Sequence, residues 1–383
     1  MLGARFGLRT ALVPWIVARV VVLAALGVSR ELSSDGRLSA KSAAVVHAGL
    51  LSWDAGWYEA IAERGYGGAG SGSLRFFPLF PAMARGLSEV TGISVGSALV
   101  LIANVAALGA AAALACLVGF ETGDRHLARR AAWLLCLAPP AFTFVMGYAA
   151  PVFVLFAIGS LFCLRKRRFW RAAWLAILAG ASWPVGALLF FPALIEAART
   201  WGSVRSTGFR RATRPSRSEF SAKASAVAAV VGGPLGCGAF LAWSGWRYKN
   251  AFAPLRIQEQ SNHRGAVADP FRTLAHDASL LVHGQHLGTA LHLPWVGISL
   301  ILLVVVAARW PASYTAFAFF VLAVALTASN LDSFERYALC AFPLVLGAAS
   351  VVRTPRQETA VLVVSAAGLV GYAVLAFTGL YVP

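Results

Sequence analysis

The chain has 383 residues, of which 58% are hydrophobic and 13% are charged, and its mean hydropathy is +0.70. Soluble globular domains carry about 25% charged residues, so this composition excludes a water-soluble fold. A net charge of +17 would suggest nucleic-acid binding in a soluble protein. Here the positive residues lie in short segments between apolar stretches, which is typical of a multi-pass membrane protein with no nucleic-acid partner.

The cysteines and the first apolar segment carry no metal or processing signature. The five cysteines have no CxxC spacing and lie in or beside apolar stretches, so neither a disulfide framework nor a metal site is expected. Residues 11–29 follow Arg5 and Arg9 and lack a small-residue cleavage site, which indicates a retained membrane helix. Arginine outnumbers lysine by 29 to 4. This bias, with abundant alanine, suggests a GC-rich bacterial genome and therefore a bacterial plasma membrane.

Apolar stretches recur along the whole chain and predict an all-α, polytopic transmembrane fold. Helices that cross a bilayer core of about 30 Å need about 20 apolar residues, and on that basis we predict about 9–11 membrane helices in one domain over residues 1–383. The predicted spans are residues 11–29, 93–119, 131–147, 149–164, 224–243, 293–308, 312–328, 337–352 and 359–380.

One further apolar region, residues 172–197, is interrupted at Trp183-Pro184. Proline removes a helix hydrogen bond and forces a bend. Because the region is too short for two full crossings, we interpret it as a re-entrant helical hairpin. A single crossing stays open as an alternative, and it would move the basic segment 199–223 to the outer side.

The distribution of positive charge predicts the orientation. With a cytoplasmic N-terminus and the hairpin returning to its starting side, 20 Lys and Arg residues face the cytoplasm and 12 face the outside. This asymmetry agrees with the positive-inside rule and makes segment 199–223 a cytoplasmic loop. The loops 30–92 and 244–292, and the short turn Ser329–Tyr337, then share the extracytoplasmic side, where we expect the active site.

The first of these loops contains the sequence WDAGWYEAIAERGYGG, from Trp53 to Gly68, followed by RFFPLFP, from Arg75 to Pro81. Its helical spacing places a carboxylate and aromatic rings on one face of a helix at the membrane interface. The residues on that face are Asp54, Trp57, Tyr58, Ile61 and Ala62.

The pattern WDxxWYxxIAxxGY followed by FFPLFP resembles the first-loop signature of the PIG-V-like mannosyltransferases, which belong to the GT-C glycosyltransferases. Weaker matches extend the resemblance over most of the chain, at Leu137–Phe142, Phe252–Pro270 and Glu335–Leu344. The sequence departs from the family at two places. Tyr148-Ala149-Ala150 lacks the usual glutamate, and Trp183-Pro184 lacks a frequent arginine.

The resemblance implies an inverting transfer of a hexose, with mannose as the expected sugar, from a polyprenyl-phosphate donor. The acceptor would be a glycolipid, a glycan or a protein outside the cytoplasm, with membrane lipids as the surroundings. Such a reaction needs a base for the acceptor hydroxyl and cations for the departing phosphate. Asp54 is the candidate base. Arg336, Tyr337 and Arg264 are the candidate donor-binding residues.

The candidate sugar and acceptor contacts lie in the two outer loops. Gln260 and Arg264 are four residues apart and would share a face if that part of the loop were helical. A solvated loop is the alternative for this segment. The full set of candidate sugar or acceptor residues is Trp53, Trp57, Tyr58, Arg75 and Gln260.

No cofactor is expected. His283 and His286 have a spacing that metal ligands use, but no cysteine or carboxylate cluster accompanies them. We therefore interpret the loop histidines, including His276 and His292, as solvated or interfacial. The sequence does not support a divalent metal. No P-loop, Rossmann GxGxxG or DxD pair accompanies a soluble domain, which argues against a nucleotide-sugar donor bound in the cytoplasm.

Two other functions stay open at this point. A transporter would explain the broken helix at Trp183-Pro184 and Arg19 inside a span, which could mark a substrate pathway. A catalytically inactive partner protein would explain Ala150 and Trp183, where the family pattern is lost. The intact Asp54 motif favours the glycosyltransferase.

Overall fold

The computed structural model describes residues 3–36, 38–206, 217–260, 264–283 and 292–383. Within these ranges the regular elements are helices, and the prediction of an all-α fold is confirmed. The α-helices are α1 (Ala4–Ser34), α2 (Ala40–Ala48), α3 (Asp54–Gly68), α4 (Leu79–Thr91), α5 (Val95–Thr122), α6 (Arg125–Leu137), α7 (Ala150–Arg165), α8 (Phe169–Ser182), α9 (Phe190–Ser206), α10 (Arg217–Tyr248), α11 (Ala253–Arg256), α12 (Pro270–Val282), α13 (Leu293–Arg309), α14 (Ala312–Leu326), α15 (Phe334–Cys340), α16 (Pro343–Val351) and α17 (Pro355–Phe377). Short 3-10 helices lie at Gly49–Leu51, Ser71–Arg75, Pro139–Phe144 and Pro184–Leu189.

The chain is a multi-pass membrane protein. Among the described residues, 4 helices are long and apolar enough to cross a membrane, namely α1, α5, α10 and α17, and the bent pair of α15 and α16 would be a fifth span. This number is smaller than the predicted 9–11. The reason is length: α7, α13 and α14 have 16, 17 and 15 residues, and at a rise of about 1.5 Å per residue they reach less than a bilayer core of about 30 Å.

Prolines divide two of the predicted spans. The predicted span 131–147 is wrong as one helix, because α6 ends at Leu137 and Pro139-Pro140 begin a 3-10 helix. The predicted span 337–352 is bent by 81° between α15 and α16, where Pro343 begins the second helix. Proline cannot donate the helix hydrogen bond, so it begins a new helix more readily than it continues one.

The apolar region at 172–197 folds as α8 and α9 on either side of the 3-10 helix Pro184–Leu189. Trp183 at the break packs on Phe153 near the start of α7, with ring centroids 5.3 Å apart. Glu196 in α9 accepts a hydrogen bond of 3.0 Å from Arg165 at the end of α7. The chain therefore runs back along α7 in α8 and returns in α9 to the end of α7. The re-entrant hairpin stays a prediction.

Close helix contacts fix the position of that break. Gly180 in α8 and Gly233 and Gly236 in α10 allow the two backbones to touch, since a Cβ atom at any of them would meet backbone atoms of the opposite segment. Small residues permit such packing between apolar helices in a membrane. In the segment 199–223, predicted as a loop, α9 continues to Ser206 and α10 begins at Arg217, and residues 207–216 lie outside the described ranges.

Arg19 has a structural environment inside the helical bundle. Its Nε donates to Asn104 Oδ1 at 2.8 Å and its Nη2 donates to the Phe144 carbonyl at 3.1 Å. Asn104 also donates to the carbonyl of Val145 at 2.9 Å. These bonds tie α1 and α5 to the irregular segment before α7, which leads directly to Tyr148. The feature that suggested a transporter therefore holds this segment in place.

Candidate active site

A cavity of about 390 Å³ opens where segment 30–92, the turn before α15 and the break after α8 meet. This volume lies in the range of about 300–1,000 Å³ typical of small-molecule sites. All the predicted site residues except Gln260 line it. The lining residues are Trp53, Asp54, Trp57, Tyr58, Arg75, Phe76, Tyr148, Ala149, Ala150, Trp183, Gln258, Arg264, Asp332, Ser333, Arg336, Tyr337, Val382 and Pro383.

Asp54 is the first residue of α3 and faces the cavity. The preceding Trp53 has a φ of 60° and a ψ of −127°, a conformation that costs a non-glycine residue about 1–3 kcal/mol. Two contacts hold this turn. The Trp53 indole Nε1 donates to the Ala376 carbonyl in α17 at 2.9 Å, and the Asp54 backbone N–H donates to the Tyr148 hydroxyl at 3.3 Å. The carboxylate is thus positioned by residues far away in the sequence.

Two guanidinium groups flank the Asp54 carboxylate. Arg336 Nη1 lies 2.6 Å from Oδ2, and Arg75 Nη2 lies 3.9 Å from Oδ1. The exposed fractions of the three side chains are 21% for Asp54, 13% for Arg336 and 15% for Arg75. The group is therefore mostly buried but still accessible from the cavity, which a base that meets a substrate requires.

Arg336 and Arg264 provide the positive charge on the opposite wall. Arg336 also donates to Ser333 Oγ at 3.3 Å, and its guanidinium carbon lies 5.1 Å from the Tyr148 ring centroid. Arg264 donates to the Ala325 carbonyl at 2.7 Å and lies 4.3 Å over the Tyr337 ring. In the part of the chain that the structure describes, the buried Nε atoms of both arginines have no hydrogen-bond partner. Both arginines line the cavity, where a guanidinium group can bind an anion.

Aromatic rings form the remaining walls. Trp57 stacks on Phe76 with ring centroids 6.0 Å apart, and Trp183 packs on Tyr337 at 4.7 Å. Tyr58 is only 6% exposed and lies edge-on against Phe76, and burial raises the pKa of its hydroxyl above the usual value. Trp57 and Trp183 therefore offer accessible ring faces, while Tyr58 supports the wall.

The prediction for the second outer loop needs a correction. Gln260 is exposed and lies outside the cavity lining, whereas Gln258 lines the cavity. After α11 ends at Arg256, the chain turns, and the Arg264 N–H donates to the Gln258 carbonyl at 3.1 Å. A helical spacing from Arg264 therefore selects the wrong glutamine. Residues 261–263 lie outside the described ranges.

Sequence reasoning missed several groups at the site, namely Phe76, Tyr148, Gln258, Asp332 and Ser333. It was also wrong about His292, which is 2% exposed rather than solvated and makes a 2.7 Å contact from Nδ1 to the buried carboxylate of Glu335. The sequence signal for these contacts was the polar turn Ser329–Tyr337, which contains Asp332 and Glu335.

The residues that departed from the family pattern also face the cavity. Ala149 and Ala150 lie at the start of α7, and Trp183 lies at the end of α8.

Among the described residues, no group of three or more His, Cys, Asp or Glu side chains could hold a metal ion. His283 is exposed, and His286 lies outside the described ranges.

The family model described as Mannosyltransferase (PIG-V) matches residues 10–200. The matched range includes Asp54, Arg75, Tyr148 and Trp183, while Arg264 and Arg336 lie beyond it. Neither the curated proteins nor the solved structures contain a match to the chain. The matched half carries the first-loop signature and most of the cavity. The chain is a multi-pass membrane protein that belongs to the PIG-V mannosyltransferase family.

Proposed function

We propose that the protein transfers a hexose, mannose in the first instance, from a polyprenyl-phosphate donor to a hydroxyl group of an extracytoplasmic glycolipid, glycan or protein. The observation that carries the proposal is the Asp54–Arg336 pair in the cavity, a potential base 2.6 Å from a cation. Family membership makes the chain a membrane mannosyltransferase. The donor, the side of the membrane and the residue roles are our proposal.

The reaction is a direct displacement at the anomeric carbon. The Asp54 carboxylate takes the proton of the acceptor hydroxyl as the acceptor oxygen forms its bond to that carbon. The bond from the anomeric carbon to the phosphate oxygen breaks, and the polyprenyl phosphate leaves with the electron pair and one additional negative charge. Arg336 and Arg264 stabilise that charge, because guanidinium groups make paired hydrogen bonds to phosphate oxygens.

The ion pair in the cavity couples donor binding to activation of the base. In the structure, Arg336 and Arg75 flank the Asp54 carboxylate. A donor phosphate competes with Asp54 for Arg336. Transfer of that contact to the phosphate releases the Asp54 carboxylate to meet the acceptor hydroxyl when the donor is in place.

The aromatic walls suit the sugar. Trp57 and Trp183 present ring faces on two sides of the cavity, and a hexose can pack its C–H groups against such faces while its hydroxyl groups bond to Gln258 and Asp332. The extracytoplasmic location rests on the charge distribution, since 12 Lys and Arg residues fall on the side of the cavity and 20 on the other.

Substitution of Asp54 by asparagine tests the base. Asparagine keeps the size of the side chain but cannot accept the proton, so transfer should fall by roughly 10² to 10⁴, the usual contribution of a positioned general base. Binding of polyprenyl phosphate should persist, because Arg336 stays in the cavity. The assay uses purified protein in detergent, radiolabelled polyprenyl-phosphate mannose and a cell-envelope lipid extract as the source of acceptor.

Asp269→Asn is the matched control, because Asp269 is an outer-loop carboxylate that caps Phe271 at 2.9 Å and lies outside the cavity. It should retain the wild-type transfer rate, since asparagine caps a helix as well as aspartate does. A transfer rate of Asp54→Asn within a few-fold of the wild type would contradict the proposed mechanism.

A further inference from the structure

A buried polar cluster lies next to the cavity and is joined to it through Asp332. His292 Nδ1 lies 2.7 Å from Oε1 and 2.9 Å from Oε2 of Glu335, and the Tyr381 hydroxyl donates to Oε2 at 2.7 Å. The other ring nitrogen, Nε2, lies 3.5 Å from Oδ1 of Asp332. His292 is 2% exposed and Glu335 is fully buried, whereas Asp332 reaches the cavity.

The first turn of α15 carries three consecutive side chains that go to three different partners. Glu335 points into the cluster, Arg336 reaches Asp54, and Tyr337 packs on Trp183. The turn begins at Ser333, whose φ of 67° is uncommon for a residue other than glycine. A rigid anchor on Glu335 therefore fixes the rotation of this turn and with it the direction of Arg336.

We propose that His292 is a positioning residue for the transfer reaction, which donates from both ring nitrogens to Glu335 and Asp332 and so holds the Arg336 guanidinium where the donor phosphate binds. The inference rests on the proposed function, since it names the group that prepares the donor site. Donation from both nitrogens requires the imidazolium form, because neutral histidine has only one N–H.

The surroundings of the ring favour that form. Burial lowers the pKa of His292, but the hydrogen bonds to Asp332 and Glu335 and the charge of these groups outweigh it and raise the pKa to about 9. Burial raises the pKa of Asp332, and its bonds to His292 and Asn330 outweigh that effect and lower it. The other titratable or charged groups that act on this cluster are Asp277 and His276 in α12, Tyr381 and Tyr372, and Arg264 and Arg336.

The test compares His292→Ala with His292→Asn. Alanine removes the His292 contact and leaves the Glu335 carboxylate held by the Tyr381 hydroxyl at one oxygen. KM for polyprenyl-phosphate mannose and Kd for polyprenyl phosphate should both rise by about tenfold, since a shift of ~1 Å in a binding group can reduce activity by about 10²-fold. The kcat value should change less. Asparagine places an amide N–H near the position of Nδ1, so it should recover most of the donor affinity at neutral pH.

His283→Asn is the control, because His283 is an exposed histidine whose Nδ1 contacts the Ser279 carbonyl away from the cavity. It should show wild-type KM, Kd and Tm. Binding is followed by quenching of the tryptophan fluorescence of the cavity. Thermal stability of each variant is measured alongside, so a general loss of folding is recognised.

The pH profile separates positioning from a purely structural role. The folded-state pKa of about 9 lies above the ordinary 6.5, so the contribution of His292 is complete below pH 6.5 and is lost as the pH rises through 9. Donor KM of the wild type should therefore rise above pH 9, and Tm should fall over the same range. His292→Asn has no group that titrates there, so its donor KM should stay flat.

Three results would overturn the inference. The first is a wild-type KM and Kd in both His292 variants with only a lower Tm, and the second is a donor KM of His292→Asn that still rises above pH 9. The third is no binding of polyprenyl phosphate by the wild type. The last result would also contradict the proposed donor. Binding that depends on His292 without any mannose transfer would contradict the proposed function alone. Normal transfer with binding indifferent to His292 would contradict the inference alone.

Discussion

Asp54 and Arg336 are 282 positions apart in the chain, and they form the shortest charged contact at the cavity, at 2.6 Å. The proposed mechanism gives them opposite tasks, one taking a proton and the other holding a phosphate. Arg336 can serve both partners because its guanidinium is planar and has several N–H groups in a fixed fork. A substitution that keeps the charge of Arg336 but removes the fork therefore shows which of the two properties binds the phosphate.

Arg336→Lys separates these two properties. Lysine keeps the charge but cannot make the two-pronged contact, so loss of one charge-assisted hydrogen bond of about 1.5 kcal/mol should raise donor KM roughly tenfold. Steady-state kinetics with polyprenyl-phosphate mannose measure the effect. Arg85→Lys on the exposed face of α4 is the control and should behave as the wild type. Unchanged KM and kcat in Arg336→Lys would remove Arg336 from the donor site.

At the scale of elements, a second polar cluster joins four helices at the end of the bundle opposite the cavity. Arg165 in α7 donates to Glu121 in α5 at 2.7 Å and to Glu196 in α9 at 3.0 Å. Ser313 at the start of α14 donates to Glu196 at 2.7 Å. The cluster holds α9 against α7 and α14, and thereby keeps the break at Trp183 beside the active site.

Removal of one charge from this cluster should destabilise the fold. Glu196 is 8% exposed, so Glu196→Gln leaves Arg165 with a weaker partner in a poorly solvated place, which should lower the free energy of unfolding by about 3 kcal/mol. The comparison is Glu89→Gln, which breaks the Arg85 pair whose side chains are 56% and 63% exposed and should change stability by less than about 0.5 kcal/mol. Thermal unfolding in detergent measures both. Equal Tm values for the two variants would show that the cluster is not a stabilising element.

At the scale of the whole molecule, the orientation decides where the acceptor comes from. In the proposed orientation, α8 and α9 return the chain to the side on which α7 ends, and the basic segment 199–223 is expected in the cytoplasm. Cysteines introduced at Ser71 and Ala266, both exposed, should react with a membrane-impermeant reagent in intact cells. A cysteine at the exposed Ser221 should react only after the membrane is opened.

The wild-type chain is the blank for this experiment, because its cysteines are buried or partly buried. Reaction of the Ser221 cysteine in intact cells would contradict the hairpin and would place the basic segment outside. Failure of both the Ser71 and Ala266 cysteines to react, with Ser221 reactive, would reverse the orientation and move the proposed active site to the cytoplasm.

The sequence alone predicted the all-α fold and the membrane location, and it pointed to Asp54, Arg75 and Arg336, which line one cavity in the structure. These features depend on composition, on local hydrophobic pattern and on one contiguous motif, all of which are readable along the chain. The number of long membrane helices was not readable in this way, because prolines and helices of 15–17 residues divide apolar stretches that look continuous.

The tertiary structure shows which residues from distant parts of the chain meet. It selected Gln258 instead of Gln260, because the chain turns after α11 and no helical spacing applies there. It also placed His292 against Glu335 rather than in solvent. Contacts between residues tens to hundreds of positions apart depend on how helices pack, and packing is a property of the whole set of apolar faces rather than of any one segment.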